Sequence, residues 1–326
     1  MSELKRHMGL FQLTMYGTGL ILGAGIYVLI GEAAGFAGDS VWIAFALGSV
    51  VALFAGFSYA ELSSIFPKAA AEYVFIKNAF KNNFFAFLIG WLTAVTSIIT
   101  AATVALGFGG YFAEFVNIPI IISAIGLLVI LSIVNFIGIR ESAWTNTIFT
   151  IIEASGLILI IIIGFTFANP EPVNYYESPS GFSGIVIAFV LIFFAFIGFE
   201  DMANIAEEVK KPKKTLPKAI ILSVVIAGIL YILVSLAVVR VVNWEELANS
   251  SAPIALVAEK GLGAEAHILL SSIALFAITN TVLITLVAGS RIFYGMAKEK
   301  VFPSILEKIH FKTKTPWMAV IVILIT

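Results

Sequence analysis

The sequence predicts an all-α, polytopic membrane protein: a bundle of eight complete spans, of which the first and sixth are discontinuous. Composition is the first observation behind this. Of the residues, 60% are apolar and 12% charged, with a mean hydropathy of +1.04, which does not suit a soluble domain of this length. The second is the one-sided distribution of lysine and arginine among the loops. The third is a pair of glycine interruptions inside apolar segments, Gly23-Ala24-Gly25 and Gly198-Phe199-Glu200.

Apolar runs long enough to cross about 30 Å of hydrocarbon fall at 10–34, 40–63, 84–112, 118–138, 143–168, 183–205, 217–242 and 266–296. A ninth begins at Pro316 and reaches Thr326. At about 1.5 Å per residue it is too short to cross, so the chain is expected to be truncated in helix 9. Residues 1–168 are then a first set of five spans, and 183–326 the start of five more. The connections 64–83 and 243–265 are long enough to hold short interfacial helices.

The N-terminus, MSELKRHMGLFQ, runs into a full-length span with no small-residue cleavage site, so it reads as a lead-in rather than a removable signal peptide. With that end inside, all but Arg240 and Lys260 of the 19 lysines and arginines lie on the inner side. Positive charge in short loops sets membrane orientation, so a multi-pass protein of the cell membrane with a cytoplasmic N-terminus is expected. The stretch Lys210-Lys211-Pro212-Lys213-Lys214 also suits anionic lipid. Without cysteine there is no disulfide framework or thiolate metal site.

In lipid every backbone donor and acceptor needs a partner, so a helix breaks at mid-membrane only where the freed groups line a cavity or meet a ligand. Paired breaks in corresponding positions of two halves point to a solute site. Gly17, Gly19, Gly23 and Gly25 each weaken a helix by roughly 1 kcal/mol relative to alanine. Unwinding at Gly23-Ala24-Gly25 exposes the amides of the outer half-helix to a carboxylate. Such glycines equally serve close helix packing. The second break adds what packing does not require, Glu200 and Asp201 beside Gly198. Glu200 is assigned a gating or polar-network role, and Asp201 a place at the inner mouth.

Glu153 is the most distinctive single residue, near the middle of the fifth span. Ser142, Asn146, Thr150 and Glu153 follow helical steps and form one polar stripe, which should face the bundle. A carboxyl there can hold a proton in one state and lose it in another. Proton carrier, sodium ligand and hydrogen-bonded strut are its candidate roles, weighed in that order. A sodium ion needs oxygen ligands from the eighth span, where Thr279-Asn280-Thr281 supplies them, although such groups also glue helices together. Thr93, Thr96, Thr100 and Thr103 form a second stripe, suited to walling a pathway. His7, His267 and His310 have no ligand spacing. The chain has no zincin HExxH, nucleophile elbow or phosphate loop, so an enzyme is not expected. Two breaks also suit an occluding site better than a continuous pore.

Five segments, in order, resemble one family. Gly23-Ala24-Gly25-Ile26-Tyr27 is similar to its Gly-Ser/Ala-Gly-Ile-Phe element. Tyr59-Ala60-Glu61-Leu62 with Phe66-Pro67-Lys68 and Glu72-Tyr73 resembles its second-to-third helix connection. Phe194-Ala195-Phe196-Ile197-Gly198-Phe199-Glu200 resembles its sixth-helix gate and unwound segment. Glu207-Glu208, Lys211-Pro212 and Leu216-Pro217-Lys218-Ala219-Ile220 resemble the stretch directly after that helix. Ser290-Arg291 with Tyr294-Gly295-Met296-Ala297 resembles the end of its eighth. On these segments the chain resembles the amino acid-polyamine-organocation transporters, with the LeuT-type fold of two inverted five-helix repeats. Ala69-Ala70-Ala71 departs from the family's frequent Ala-Gly-Gly, implying a stiffer inner loop.

The resemblance implies a secondary amino acid transporter working by alternating access. The substrate carboxylate is expected at Gly23, Ala24, Gly25 and Ile26. Its amine is expected at carbonyls around Ile21, Phe193 and Phe196, with Gly198 also in the binding set and Phe194 as aromatic gate over the substrate. The mostly apolar surroundings favour a neutral amino acid with proton symport, Glu153 and then Thr279 and Asn280 serving coupling. Some prokaryotic relatives place a lysine near the position of Glu153, and the glutamate reverses that charge. Exchange, sodium coupling and a membrane sensor on the same fold are the alternatives. Expected partners are an amino acid, a proton or sodium, and the lipid bilayer. No cofactor, metal or nucleic acid is expected, and the sequence is silent on a partner subunit.

Overall fold

The computed structural model describes residues 4–116, 118–167, 172–250 and 252–326. The apolar runs form helices, which alone satisfy their own backbone at bilayer depth without closing a barrel. In order these are α1 (Leu10–Leu22), α2 (Ala24–Ala37), α3 (Val41–Ile65), α4 (Ala71–Phe80), α5 (Asn83–Phe115), α6 (Ile120–Ile137) and α7 (Ile139–Thr166). There follow α8 (Gly181–Phe193), α9 (Asp201–Asn204), α10 (Pro212–Val241), α11 (Trp244–Ala248), α12 (Pro253–Leu262), α13 (Ala264–Lys298) and α14 (Trp317–Ile325). Among the described residues the one extended pairing is an isolated bridge between Met8 and Val209.

Seven helical stretches are long and apolar enough to cross a membrane, the first being Leu10–Ile65 with 56 residues. At about 1.5 Å per residue that stretch far exceeds one crossing, and a tight turn at Gly38–Ser40 divides it. It therefore accounts for both the first and second expected spans. The two long connections carry α4, and α11 with α12, as their lengths predict.

Local signals explain the helix ends. Asn82 caps α5, its Oδ1 accepting the amides of Phe84 at 2.9 Å and Phe85 at 3.2 Å. Pro212 opens α10 at a position whose amide needs no helical partner. Gly138, at φ +144, is the whole joint between α6 and α7.

Packing centres on α1, which lies against α7, α10 and α13, while α3 packs on α10 and α5 on α13. Large apolar side chains such as Phe54, Ile121, Ile130 and Val190 remain exposed, as a bilayer solvent requires. The N-terminal lead-in pairs with the segment after α9: the amides of His7 and Met8 donate to Glu208 O, and the amide of Lys210 donates back to Met8 O.

Below the core, Arg291 of α13 is fully buried. Its guanidinium meets Glu208 in a two-pronged pair, Nε to Oε2 at 2.8 Å and Nη2 to Oε1 at 3.0 Å. Nη1 donates to Asn135 Oδ1 and, at 2.9 Å, to Ser290 Oγ. The pair joins α13 to the chain following α9, and Asn135 adds α6.

Removing one partner of such a pair strands a buried charge, at a cost of about 3–5 kcal/mol. Glu208→Gln is expected to lower the thermal unfolding midpoint sharply in detergent; an unchanged midpoint would show the pair to be dispensable. Ala70 departs from ordinary backbone, with φ +53 at the cap of α4, where the family resembled often has glycine. Ala70→Gly should therefore raise stability by about 0.4–1 kcal/mol, read in the same melting experiment.

Candidate functional site

Gly23 alone separates α1 from α2, at φ −19 and ψ −156. A Cβ on this buried residue would lie 2.4 Å from Thr281 Oγ1 of α13. Ala24 opens α2, and its side chain lies outside the described residues. Among the described residues no acceptor meets the amides of Gly25 and Ile26. The first turn of α2 thus presents free donors at the positive end of the helix dipole.

The second break is longer than its glycine alone suggests. Regular helix stops at Phe193, a 3₁₀ turn covers Phe194–Phe196, and helix resumes only at Asp201. Gly198 has φ +130, and Leu20 Cδ2 lies 1.8 Å from where a Cβ would stand, so both backbone and space demand glycine. Glu200 folds back so that its Oε2 accepts the Gly198 amide at 2.8 Å. The carboxyl nominated for gating therefore also holds the break.

The two breaks touch each other. A Cβ on Gly25 would lie 2.9 Å from both Cα and Cβ of Ala195. Two freed carbonyls, of Ile21 and Ala195, converge on one hydroxyl, that of Tyr231 in α10, with the Ala195 bond at 3.2 Å. Tyr231 is fully buried, its ring edge-on to Phe45 at 5.5 Å and to Phe196 at 5.1 Å. Sequence reasoning missed this residue. The available signal was a lone hydroxyl in the apolar run Ile229-Leu230-Tyr231-Ile232-Leu233, where a partner is required.

A cavity of about 260 Å³ opens beside the breaks. One wall is Leu20, Ile21, Gly23 and Gly25, and a second is Phe194, Ala195, Ile197 and Gly198. Thr93, Thr96, Ser97 and Thr100 of α5 form a third, while Thr281 and Thr285 of α13, with Glu200 and Asp201, complete the lining. The volume sits just below the roughly 300–1,000 Å³ of drug-sized ligand pockets, which suits a smaller solute. Phe194 lines the cavity and keeps 65% of its surface exposed. Phe193, Phe196 and Ile26 do not contribute side chains to the lining: Phe196 and Ile26 are fully buried, and Phe193 packs on Phe189 at 6.3 Å. Thr103, the last of the predicted stripe, is exposed and outside it.

The stripe on α7 is buried as expected, Ser142, Asn146, Thr150 and Glu153 alike. Asn146 Nδ2 donates to Asn280 Oδ1 at 3.0 Å, Asn280 Nδ2 donates to Thr150 Oγ1 at 3.3 Å, and Thr150 Oγ1 donates to Met15 O at 3.2 Å. The network ties α7 to α13 and α1. Glu153 ends it with no exposed surface and no closed hydrogen bond at either carboxyl oxygen among the described residues, the Asn280 side chain being its polar neighbour. The Tyr27 hydroxyl donates instead to the Glu153 backbone carbonyl at 3.1 Å. Thr279 is not brought to this network; its hydroxyl donates to Leu275 O at 2.7 Å on its own helix. No cluster of three or more potential metal ligands forms among the described residues.

The family model described as amino acid permease matches residues 8–326. The branched-chain amino acid permease BcaP of Bacillus subtilis (strain 168) is 32% identical, over 97% of this chain and 72% of its own length. The methylthioribose transporter of the same organism is 30% identical with the same coverage. Cationic amino acid transporter 4 of Mus musculus is 31% identical, over 98% of this chain and 54% of its own length. Among solved structures, Mhp1, a nucleobase-cation-symport-1 family transporter in a closed conformation with bromovinylhydantoin bound, superposes with a TM-score of 0.63. That match covers 99% of this chain and 72% of the other at 16% identity, and it shows the LeuT-type fold.

Gly25→Val drives a side chain into Ala195 and should abolish solute binding in a scintillation binding assay; unaltered affinity would remove the first break from the site. Tyr231→Phe leaves two buried carbonyls without their donor, at about 1–3 kcal/mol. It should lower the melting midpoint of the empty protein, and an unchanged midpoint would mean that other groups satisfy them.

Proposed function

This chain belongs to the amino acid permease family and is a multi-pass membrane protein, not an enzyme; from that premise we propose that it moves a neutral amino acid by alternating access, coupled to a proton carried on Glu153. The reading takes the N-terminus as cytoplasmic, on the strength of the lysine and arginine distribution. Substrate carboxylate is assigned to the free amides of Gly25 and Ile26 at the start of α2, beside Gly23 and Ala24. Its ammonium is assigned to the carbonyls of Ile21 and Ala195, where it shares or replaces the Tyr231 hydroxyl. The side chain then extends toward Thr96, Thr100 and Phe194. Glu200 is engaged at the Gly198 amide, which supports an uncharged side chain in the substrate.

The observation that carries the coupling role is the isolation of Glu153. An ionised carboxylate without counter-ion or hydrogen bonds costs several kcal/mol in such surroundings, so this conformation accommodates the neutral form. Movement of α1 against α7 would admit water and let the proton leave. Sodium coupling draws less support: Thr279 is back-bonded to its own helix, and Asn280 Oδ1 already accepts from Asn146. A second reading, a cationic substrate, is favoured by Asp201, which lines the cavity beside Glu200.

The test is uptake of radiolabelled leucine or arginine into proteoliposomes driven by a proton gradient, a sodium gradient or internal amino acid alone. Leucine accumulation under the proton gradient supports the proposal; uptake with internal amino acid only identifies an exchanger, arginine preference the second reading, and binding without uptake a sensor. Glu153→Gln should abolish proton-driven accumulation while sparing binding, and undiminished accumulation would reject Glu153 as the carrier.

A further inference from the structure

The short helix α4 carries a second isolated carboxyl. Both oxygens of Glu72 are buried and have no hydrogen-bond partner among the described residues. Facing it is Asn204 of α9, fully buried, whose Oδ1 accepts the Ala71 amide at 2.8 Å while its Nδ2 has no acceptor. The Asn204 amide and the Glu72 carboxyl thus face one another in one pocket without a closed hydrogen bond between them, and the Tyr59 hydroxyl lies beside the carboxyl as well. A proton on the carboxyl removes the buried charge that these neutral donors leave uncompensated.

The surrounding groups fit this ligand. Tyr59 of α3, and Glu200, Asp201 and Asn204 from the second break and α9, face Glu72. The stretch of α5 beside α4 contributes no ionisable side chain among the described residues. On α4 itself, Lys77 is held away in an ion pair with Glu299 at 2.8 Å. No cation is therefore placed to neutralise Glu72. Glu200 and Asp201 also line the solute cavity, so the carboxyl groups that influence Glu72 lie between that cavity and the loop that turns at Ala70.

We propose that Glu72 is a proton-binding site on the inner face, taking a proton from Asp201 or Glu200 and releasing it to water on the N-terminal side. One O–H bond breaks on the donor carboxyl and one forms on Glu72; the same exchange with water then frees the proton, and no other reactant is needed. This goes beyond the coupling role of Glu153 and stands whether or not that residue carries a transported proton.

Burial raises the Glu72 carboxyl from its ordinary 4.5 to about 7. The closed loop therefore binds this proton more tightly than a hydrated loop does. Its stabilisation is fully present below about 4.5 and is lost as pH rises through about 7. Losing the proton at neutral pH thus favours hydration of the loop.

The test uses the full chain in lipid nanodiscs. Isotope-edited infrared titration should show a protonated carboxyl that disappears near neutral pH, is absent in Glu72→Gln and survives, shifted, in Glu72→Asp. The chain has no cysteine, so Ala203→Cys, which packs with Ala71 and Phe75, reports opening by thiol labelling. Corrected for thiolate fraction, labelling at pH 8 should exceed that in the Glu72→Gln background by up to about tenfold, the charged-to-neutral ratio one unit above the midpoint. A carboxyl signal that persists in Glu72→Gln, or identical labelling profiles in the two backgrounds, would overturn the proposal.

Discussion

A carbonyl released from a helix at mid-bilayer must find a donor within the protein, because no water stands ready to supply one. Most of this architecture depends on that constraint. Breaking α1 and the α8–α9 segment frees the carbonyls of Ile21 and Ala195, and a single hydroxyl, that of Tyr231, serves both. One donor can do so only if the breaks lie side by side, which the fit of Gly25 against Ala195 permits. The amides at the start of α2 stay open in the same place. The breaks are therefore satisfied on their acceptor side and open on their donor side.

Two buried ionisable groups show opposite solutions to desolvation. Arg291 recruits Glu208, Asn135 and Ser290 until its fork is nearly saturated. Such pairs offset their desolvation cost only with this quality of geometry. Glu153 lies in the same bundle with no cation and no closed hydrogen bond at its carboxyl; the Asn280 side chain lies beside it but is bonded to Asn146 and Thr150. A chain able to build the first arrangement has left the second unfinished, although an ionisable group at bilayer depth is costly.

Much of the fold was legible because lipid tolerates so few backbone solutions. The apolar runs, the inner short helix and the Gly23 break were each readable from length, spacing or glycine content. The threonine stripe on α5 and the polar stripe on α7 were readable from helical steps, and both face inward apart from Thr103. The features that stayed hidden depend on contacts between distant segments. Regular helix ends at Phe193 rather than at Gly198 because the intervening turn docks Phe196 on Tyr231. Phe193 and Phe196 share the motif with Phe194, yet only Phe194 lines the cavity, a difference of rotation that no periodicity in a broken helix can encode. Likewise Thr279 and Thr281 are chemically alike, but a two-residue step turns them to different faces of α13, and only Thr281 meets Gly23. Of the triplet, Asn280 alone joined the α7 stripe.

The bridge between Met8 and Val209 binds the lead-in before α1 to the segment that follows α9. During synthesis the lead-in emerges first and must wait, unpaired, until residues 208–210 have been made and inserted. That face of the bundle therefore cannot be finished one helix hairpin at a time. Six spans have to be in place before its earliest segment finds its position. A tag joined at the N-terminus would accordingly act on a late stage of assembly rather than the first, and an affinity handle there is a structural change to the face that the bridge closes.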